Sequence, residues 1–339
     1  MNRPQALYSR RDCLRLGTAA TLAAWTGASP AWATPGASEH QRGFAALDLD
    51  WTDRGRQRAV PVRLYLPQPE SPAAAESSPQ PLPLVVFSHG IGGSRLGYTW
   101  FGQHIARHGI ASLHLQHVGS DRALWNGNVF SLVGRLQNAA QEQEAVARVE
   151  DLRFALDTLL RGPLGSRVDG QRIVAAGHSY GANTTLLAAG ARVPRPDGVV
   201  DLADPRIRAA VVMSAPPFYG ESDFGSILAS VAVPSLHVTS TEDVIRIPGY
   251  FSGPEDRVKV FEATGSSRKW LAVYAGGSHS MFTDRQRSGG SSLNARVKQA
   301  TQGLVLAFLR EVFNGEGAAL SAWQQQHTDL LARFTAPQG

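Results

Sequence analysis

The sequence predicts an α/β fold with a mostly parallel central sheet, helices on both of its faces, and an N-terminal antiparallel hairpin. Short apolar runs rich in β-branched residues alternate with helical stretches between residues 84 and 313, which is typical of such a sheet. One run, Ile173 to Ala176, enters a glycine-flanked turn that leads directly into a helix-like stretch. The composition, 43% hydrophobic and 18% charged, indicates a globular protein with an ample core.

Residues 1–33 have the features of a twin-arginine export signal. Arg10 and Arg11 precede a modest apolar run, and Ala31-Trp32-Ala33 fits a small-x-small cleavage site. The run is too short, and too rich in Ala, Gly and Thr, for stable membrane insertion. We therefore expect transport by the twin-arginine export machinery, cleavage near Ala33 and a periplasmic or secreted protein. The alternative is an N-terminal surface helix.

The remaining residues, 34–339, are expected to form a single domain. Loss of the signal removes four arginines and one aspartate, which lowers the net charge from +5 to +2. The remaining sequence has no basic patch typical of nucleic-acid binding. It also removes Cys13, the only cysteine. We accordingly expect no nucleic-acid partner, and a mature protein without a thiol or a disulfide.

The elements of this domain are predicted in order from their patterns. Gly43 to Trp51 and Ala59 to Leu66 flank a turn and predict the hairpin, and the Pro-rich stretch 67–83 predicts an exposed loop. Residues 117–141 read as irregular, and the loop-rich segment 216–232 could cover a site. Strands are predicted at 84–87, 110–115, 173–176, 209–213, 235–239 and 270–274, and helices at 98–108, 142–160, 184–191 and 293–313.

Gly177-His178-Ser179-Tyr180-Gly181 fits the G-x-S-x-G pattern of a nucleophile elbow. A serine in this turn has a strained backbone, so its neighbours must be small, and Gly177 and Gly181 meet that need. The alternative is an ordinary strand-to-helix turn. The strand before the turn and the helix after it favour the elbow, with Ser179 as the nucleophile.

A serine nucleophile needs a base, and three histidines follow Ser179 in the chain. His279 lies in a glycine-rich loop after the last predicted parallel strand, so it should reach the sheet edge at which Ser179 emerges. His237 lies within a strand and is expected to be a buried, satisfied histidine. His327 follows a polar helix and is expected to be solvated. His279 is therefore the predicted base.

The base needs an orienting acid, and two adjacent carboxylates follow the strand at 235–239. Asp243 is preferred to Glu242 because it is further from the strand end and has the shorter side chain. Val244 and Ile245 could also pack its loop against the core. Glu242 stays open as the alternative, with Asp223 the next residue to consider.

Two backbone N–H groups should bind the negative charge that develops on the substrate. One belongs to Tyr180, directly after the nucleophile, and the other to Ile91 in the glycine-rich loop 89–93. No metal or cofactor is expected, because His114, His117 and Asp121 lack further ligands at a recognisable spacing. His117 is instead expected at the pocket rim. Aromatic candidates for an apolar pocket, with core packing as the equal alternative, are Trp100, Trp125 and Phe130.

Three motifs resemble the α/β-hydrolase superfamily: the run Phe87 to Arg95, the helix end Ala106 to Gly109, and the elbow. Within it they resemble platelet-activating-factor acetylhydrolases and predicted exported dienelactone-hydrolase-like proteins, over roughly residues 84–282. The resemblance implies a serine esterase with Ile91 and Tyr180 as oxyanion donors. Dienelactone hydrolases, however, have a cysteine where this chain has Ser179. The acetylhydrolases place their acid where residues 213–217 carry no carboxylate.

The expected function is cleavage of small or short-acyl carboxylic esters through an acyl-enzyme. A polyester or cutin-type hydrolase is the alternative among enzymes. A wide, shallow aromatic cleft would favour it, whereas a closed pocket under residues 216–232 would favour small esters. A non-catalytic binding protein that retains the fold is the alternative outside enzymes. Triad atoms too far apart for hydrogen bonds would indicate that protein.

Overall fold

A nine-stranded sheet forms the centre of the protein in a computed structural model that describes residues 42–69, 80–247, 250–284 and 290–337. The predicted export signal at 1–33 lies outside the described residues, as does most of the predicted loop at 67–83. Within the described ranges, no helix is long and apolar enough to cross a membrane.

The sheet is mixed, with the strand order β1-β2-β4-β3-β5-β8-β9-β12-β13. The six strands from β4 to β12 run parallel, whereas β1, β2 and β13 pair antiparallel at the two edges. The predicted parallel sheet and N-terminal hairpin are therefore confirmed. The strands of the sheet are β1 (Phe44–Asp53), β2 (Arg58–Pro67), β3 (Leu82–Ser88), β4 (Ala111–Leu115), β5 (Val168–His178), β8 (Ile207–Met213), β9 (Ser235–Glu242), β12 (Lys269–Ser278) and β13 (Leu331–Thr335).

Helices cover both faces of the sheet. Along β3, Leu84 and Val86 face the core packed by α3 and α4, whereas Val85 and Phe87 face the core packed by α1 and α7. This alternation follows from the period of two in a strand. The helices are α1 (Thr99–Arg107), α2 (Leu132–Ala139), α3 (Glu142–Arg161), α4 (Tyr180–Ala188), α5 (Phe224–Leu228), α6 (Pro254–Ala263), α7 (Ser291–Asn314) and α8 (Ala318–Gln326).

Several elements were not predicted. The segment 117–141 is not irregular throughout, because α2 forms in it and packs Leu136 against Leu124 and Ile91. The helix at the predicted end of the fold is followed by α8 and by β13, which pairs with β12. The segment 216–232 contains the short helix α5. Two small hairpins are also added, formed by β6 (Arg192–Arg195) with β7 (Gly198–Asp201) and by β10 (Ile245–Ile247) with β11 (Tyr250–Ser252).

Candidate active site

The parallel strands bring the three predicted site residues to one edge of the sheet. Ser179 follows β5, Asp243 follows β9 and His279 follows β12. The carboxyl ends of parallel strands meet at the same edge, where ligands bind in open α/β sheets. The topology thus assembles residues that lie up to 100 positions apart in the chain.

The turn at Ser179 has the strained geometry that the sequence predicts. Ser179 has φ 57° and ψ −124°, a conformation that is costly for a residue with a side chain. Its neighbours have no room for one. A Cβ on Gly177 would lie 2.1 Å from the carbonyl oxygen of Gly181, and a Cβ on Gly181 would lie 1.9 Å from that of Ser88. The turn therefore requires glycine on both sides of Ser179.

A continuous hydrogen-bonded array joins serine, histidine and aspartate. His279 Nε2 lies 2.8 Å from Ser179 Oγ, and His279 Nδ1 lies 2.7 Å from Asp243 Oδ1. A carboxylate can only accept, so Nδ1 carries the proton and Nε2 is free to accept the serine hydroxyl hydrogen. Glu242 is exposed, and Asp223 caps α5 by accepting the N–H of Ser226. The structure thus brings Asp243 to the histidine, and brings neither alternative there.

Buried polar partners fix the Asp243 carboxylate. Its side chain is fully buried, Thr239 donates a 2.7 Å hydrogen bond to it, and Arg257 lies 3.3 Å away. Burial alone would raise the pKa of Asp243, but the facing His279 and Arg257 outweigh it and hold that pKa well below its ordinary value. The carboxylate therefore stays ionised at neutral pH. The expected packing of the loop through Val244 is wrong, because that side chain is 37% exposed.

The two predicted oxyanion donors, Ile91 and Tyr180, border the cavity that contains Ser179. Ile91 is in the loop after β3, and both it and Tyr180 line the same cavity as Ser179 and His279. Tyr180 is the first residue of α4, so its backbone N–H belongs to the set that a helix leaves without an internal acceptor. The positive end of the helix dipole adds to its attraction for an anion.

A buried arginine that the sequence does not predict supports the two oxyanion donors. Arg148 of α3 is fully buried and donates to the carbonyl oxygen of His89, at the start of the Ile91 loop. It also donates to Ser120 Oγ and Thr184 Oγ1, each at 2.8 Å, and its guanidinium lies 4.5 Å from the centre of the Tyr180 ring. One cation therefore holds the loop to α4. Its position in an amphipathic helix gave no sign of this role.

The other histidines considered from the sequence contact structural partners and not the nucleophile. His117 is not at the pocket rim, because it is fully buried between Asp151 and Ser88. His237 is buried beside Ser235, as expected, whereas His327 is half-buried and stacked on Trp323 rather than solvated. His114 contacts Ser112, and Asp121 accepts from Gln116. The described part of the chain contains no group of three or more His, Cys, Asp or Glu residues arranged for a metal.

A cavity of about 570 Å³ opens directly over Ser179 and His279. Its walls are mainly apolar and aromatic, and Trp125 lines it while donating its indole N–H to the Gly92 carbonyl oxygen. The other aromatic candidates lie elsewhere: Trp100 donates to the carbonyl oxygen of Phe282, and Phe130 is 90% exposed. The segment 216–232 contributes part of one wall through Pro216, Pro217 and Tyr219.

Comparisons with known proteins agree with this architecture. Residues 62–126, which include the Ile91 loop, match the family model of platelet-activating factor acetylhydrolase, isoform II. This match confirms the resemblance inferred from the motifs. A comparison with curated protein sequences finds no match.

Two solved structures are similar to the chain. A ferulic acid esterase from Streptomyces cinnamoneus is 21% identical, with a TM-score of 0.52 over 83% of this chain and 92% of that one. A cold-adapted esterase from an Arctic intertidal metagenomic library, bound to PEG, is 17% identical, with a TM-score of 0.48 over 75% of this chain and 93% of that one. The strand order, the elbow and the first of these structures define the class: the chain has the α/β-hydrolase fold.

Proposed function

We propose that the protein is a serine hydrolase that cleaves carboxylic esters through an acyl-enzyme. The observation that carries the proposal is the array Ser179–His279–Asp243, with bonds of 2.8 and 2.7 Å, at the floor of an apolar cavity. The array has the geometry of a nucleophile, a general base and an orienting acid. The family match over residues 62–126 supports the same reaction class.

In the first half of the reaction, His279 Nε2 accepts the hydroxyl proton while Ser179 Oγ attacks the ester carbonyl carbon. The carbonyl oxygen becomes an oxyanion, and the backbone N–H groups of Ile91 and Tyr180 donate to it. Asp243 stabilises the imidazolium that forms. When the tetrahedral intermediate collapses, His279 returns the proton to the departing alkoxide. The alcohol leaves, and the acyl group stays on Ser179.

In the second half, water replaces the alcohol. His279 accepts a proton from the water, and the resulting hydroxide attacks the acyl carbon. The oxyanion forms again between Ile91 and Tyr180, and collapse returns the proton to Ser179 Oγ. The products are a carboxylic acid and the restored enzyme, so the ester and one water supply every atom and the scheme uses no cofactor.

The hydrogen-bonded array also bears on the binding-protein alternative. A binding protein that only retains the fold has no need to keep Ser179 in a strained turn, within 2.8 Å of an oriented histidine. Strain of this kind persists where surrounding structure maintains it for a function. The geometry therefore favours catalysis over binding alone.

For the substrate we propose small, short-acyl esters, with a polyester or cutin-type ester as the second candidate. The cavity, at about 570 Å³, is larger than a short acyl group requires, and the aromatic side chains of Trp125 and Tyr219 at its wall are 44% and 41% exposed. The volume lies within the range of pockets that bind whole small molecules, which supports the first candidate. The exposed aromatic side chains are the feature that favours the second candidate. A panel of p-nitrophenyl esters of increasing acyl length, run beside a polyester film, distinguishes the two by where kcat/KM is highest.

The nucleophile is tested by labelling with a fluorophosphonate. The mature wild-type protein should be labelled at Ser179, and Ser179→Ala should lose both labelling and ester hydrolysis, because no other group can form the acyl intermediate. Ser94→Ala, at another serine of the cavity wall, is the matched control and should keep both. Hydrolysis at the wild-type rate by Ser179→Ala would exclude the proposal.

We also propose that the precursor is exported by the twin-arginine route and matures to a single domain, 34–339. The proposal rests on Arg10, Arg11 and the Ala31-Trp32-Ala33 site. Replacing both arginines by lysine should leave the precursor in the cytoplasm, and N-terminal sequencing of the exported protein should begin at or near Thr34. An exported, folded protein that still begins with Met1 would contradict cleavage.

A further inference from the structure

A bridge of hydrogen bonds in the cavity wall connects the oxyanion donor loop to the base. The backbone N–H of Gly90 lies 3.3 Å from Tyr98 Oη, which lies 2.9 Å from His178 Nδ1. His178 Nε2 in turn lies 2.9 Å from the backbone carbonyl oxygen of His279. Tyr98 and His178 are 4% and 2% exposed, so water does not compete for these bonds. We call Tyr98 and His178 together the bridge.

The chemistry of the end groups fixes the direction of every bond. The His279 carbonyl oxygen can only accept, so His178 Nε2 must carry a proton. Burial, aided by the neighbouring His279, lowers the pKa of His178 to about 3. The ring is therefore neutral, and Nδ1 carries no proton. Tyr98 Oη must then donate to Nδ1. Its oxygen lone pair is thereby available to the Gly90 N–H, which can only donate.

The backbone at Tyr98 carries strain that nothing in α1 requires. Its φ of 56° and ψ of 37° lie in the left-handed region, which is costly for a residue with a large side chain. Among the described residues other than glycine, four have positive φ, and two of them, Tyr98 and Ser179, line the cavity of the candidate site. Strain concentrated there points to a functional constraint. At Tyr98 it aims the hydroxyl between Gly90 and His178.

We propose that Tyr98 and His178 are positioning residues that fix the separation between the oxyanion donor loop and the base. The proposal rests on the proposed function. Gly90 precedes the oxyanion donor Ile91, and the His279 backbone carries the base, so both ends of the bridge act on groups that the reaction uses. Such groups contribute most in the transition state, so their displacement should lower kcat and leave KM nearly unchanged.

Tyr98→Phe tests the bridge with the least disturbance. The ring keeps its contact with Phe87, whose centre is 4.7 Å away, and only the hydroxyl is lost. The Gly90 N–H and His178 Nδ1 then lose their shared partner. We expect kcat for a soluble p-nitrophenyl ester to fall about 10- to 100-fold, because small misplacements of reacting groups have effects of that size. KM should stay close to the wild-type value.

Tyr274→Phe is the matched control. Tyr274 is also fully buried, and its hydroxyl lies 2.9 Å from Thr301 Oγ1 on the face of the sheet packed by α7. Its loss should lower the free energy of unfolding without changing kcat. If Tyr98→Phe keeps the wild-type kcat, or if Tyr274→Phe loses as much kcat as Tyr98→Phe, the bridge has no positioning role.

His178→Phe supplies a second measurement. If the bridge acts as a unit, either change alone already breaks it. The double variant Tyr98→Phe/His178→Phe should then lose no more kcat than the more impaired of the two single variants. His178→Gln, which restores a donor and an acceptor, should recover part of the loss. Single-variant effects that multiply in the double variant would overturn the proposal.

Failure of the proposed function would be recognised separately. A wild-type protein that hydrolyses no ester overturns that function, and the bridge then has an independent readout in NMR spectra. The His178 imidazole proton should lie on Nε2 and exchange slowly with water, and Tyr98→Phe should shift its resonance. A proton found on Nδ1 instead would overturn the bridge whatever the activity.

Discussion

At the scale of single residues, burial decides which of two adjacent carboxylates can serve the histidine. Asp243 is fully buried and held by Thr239 and Arg257, whereas Glu242 is exposed to solvent. Only a carboxylate fixed in this way can keep one histidine tautomer and stay ionised beside it. The role of the acid is thus determined by its surroundings as much as by its distance from His279.

Asp243→Asn should therefore lower kcat for a soluble ester by about a thousandfold or more, since it keeps the shape of the side chain but removes the charge and favours the wrong tautomer. Steady-state kinetics with p-nitrophenyl esters measures the effect. Glu242→Gln, the neighbouring control, should retain a kcat close to the wild-type value. A larger loss in Glu242→Gln than in Asp243→Asn would reverse the assignment.

The sequence predicted local features of the site well and distant partners poorly. Ser179 was predictable because its elbow is a contiguous pattern, and His279 because few histidines follow it. Arg148, Arg257 and the bridge residue Tyr98 were not, since each acts through a contact outside its own element, with a residue 14 to 80 positions away. Such contacts leave no local periodicity, and only the folded sheet brings the partners together.

At the scale of elements, the same limit applies to secondary structure. The hairpin and the parallel strands have clear patterns, and the structure confirms them. The helix α2 is only eight residues long and depends on the packing of Leu136 against Leu124 and Ile91, so its sequence alone was a weak signal. The strand β13 is likewise defined by its pairing with β12.

Two glycines in helices should respond to alanine in opposite ways. Gly181→Ala, at the start of α4, places a Cβ 1.9 Å from a backbone carbonyl oxygen and should destabilise the protein by about 1–3 kcal/mol or more. Gly134→Ala, at an exposed position of α2 with open space around it, should stabilise the protein by about 0.5–1 kcal/mol. Urea unfolding measures both. Equal effects would show that the contact at Gly181 relaxes readily.

At the scale of the whole molecule, buried histidines should make the protein sensitive to acid. Burial is the main cause that lowers the pKa of five of them, to about 3 in four cases. In the unfolded chain the same groups take up protons below about pH 6.5. Between these limits the unfolded state binds more protons, so stability is lost as pH falls. The five are His89, His114, His117, His178 and His237.

The expected loss reaches up to about 7 kcal/mol per pH unit when all five histidines are protonated only in the unfolded chain. Folding free energies are of order 5–15 kcal/mol, so we expect acid unfolding within about one to two pH units below 6.5. Urea midpoints at pH 7.5, 6.5 and 5.5 test this. His237→Asn removes one of the five groups, so the unfolded state should bind about one proton fewer relative to the folded state, and the unfolding free energy should depend less steeply on pH. Identical midpoints at pH 7.5 and 5.5 would contradict the prediction.

The antiparallel strand β13 has a consequence for self-association. It pairs with residues 271–274 of β12, the strand that delivers His279, and so occupies backbone groups that would otherwise face solvent. An uncovered edge of this kind is a template on which a second polypeptide can add a strand. Detachment of β13 would thus leave β12 as an unpaired edge strand, and molecules that lose β13 should aggregate before their catalytic groups have separated.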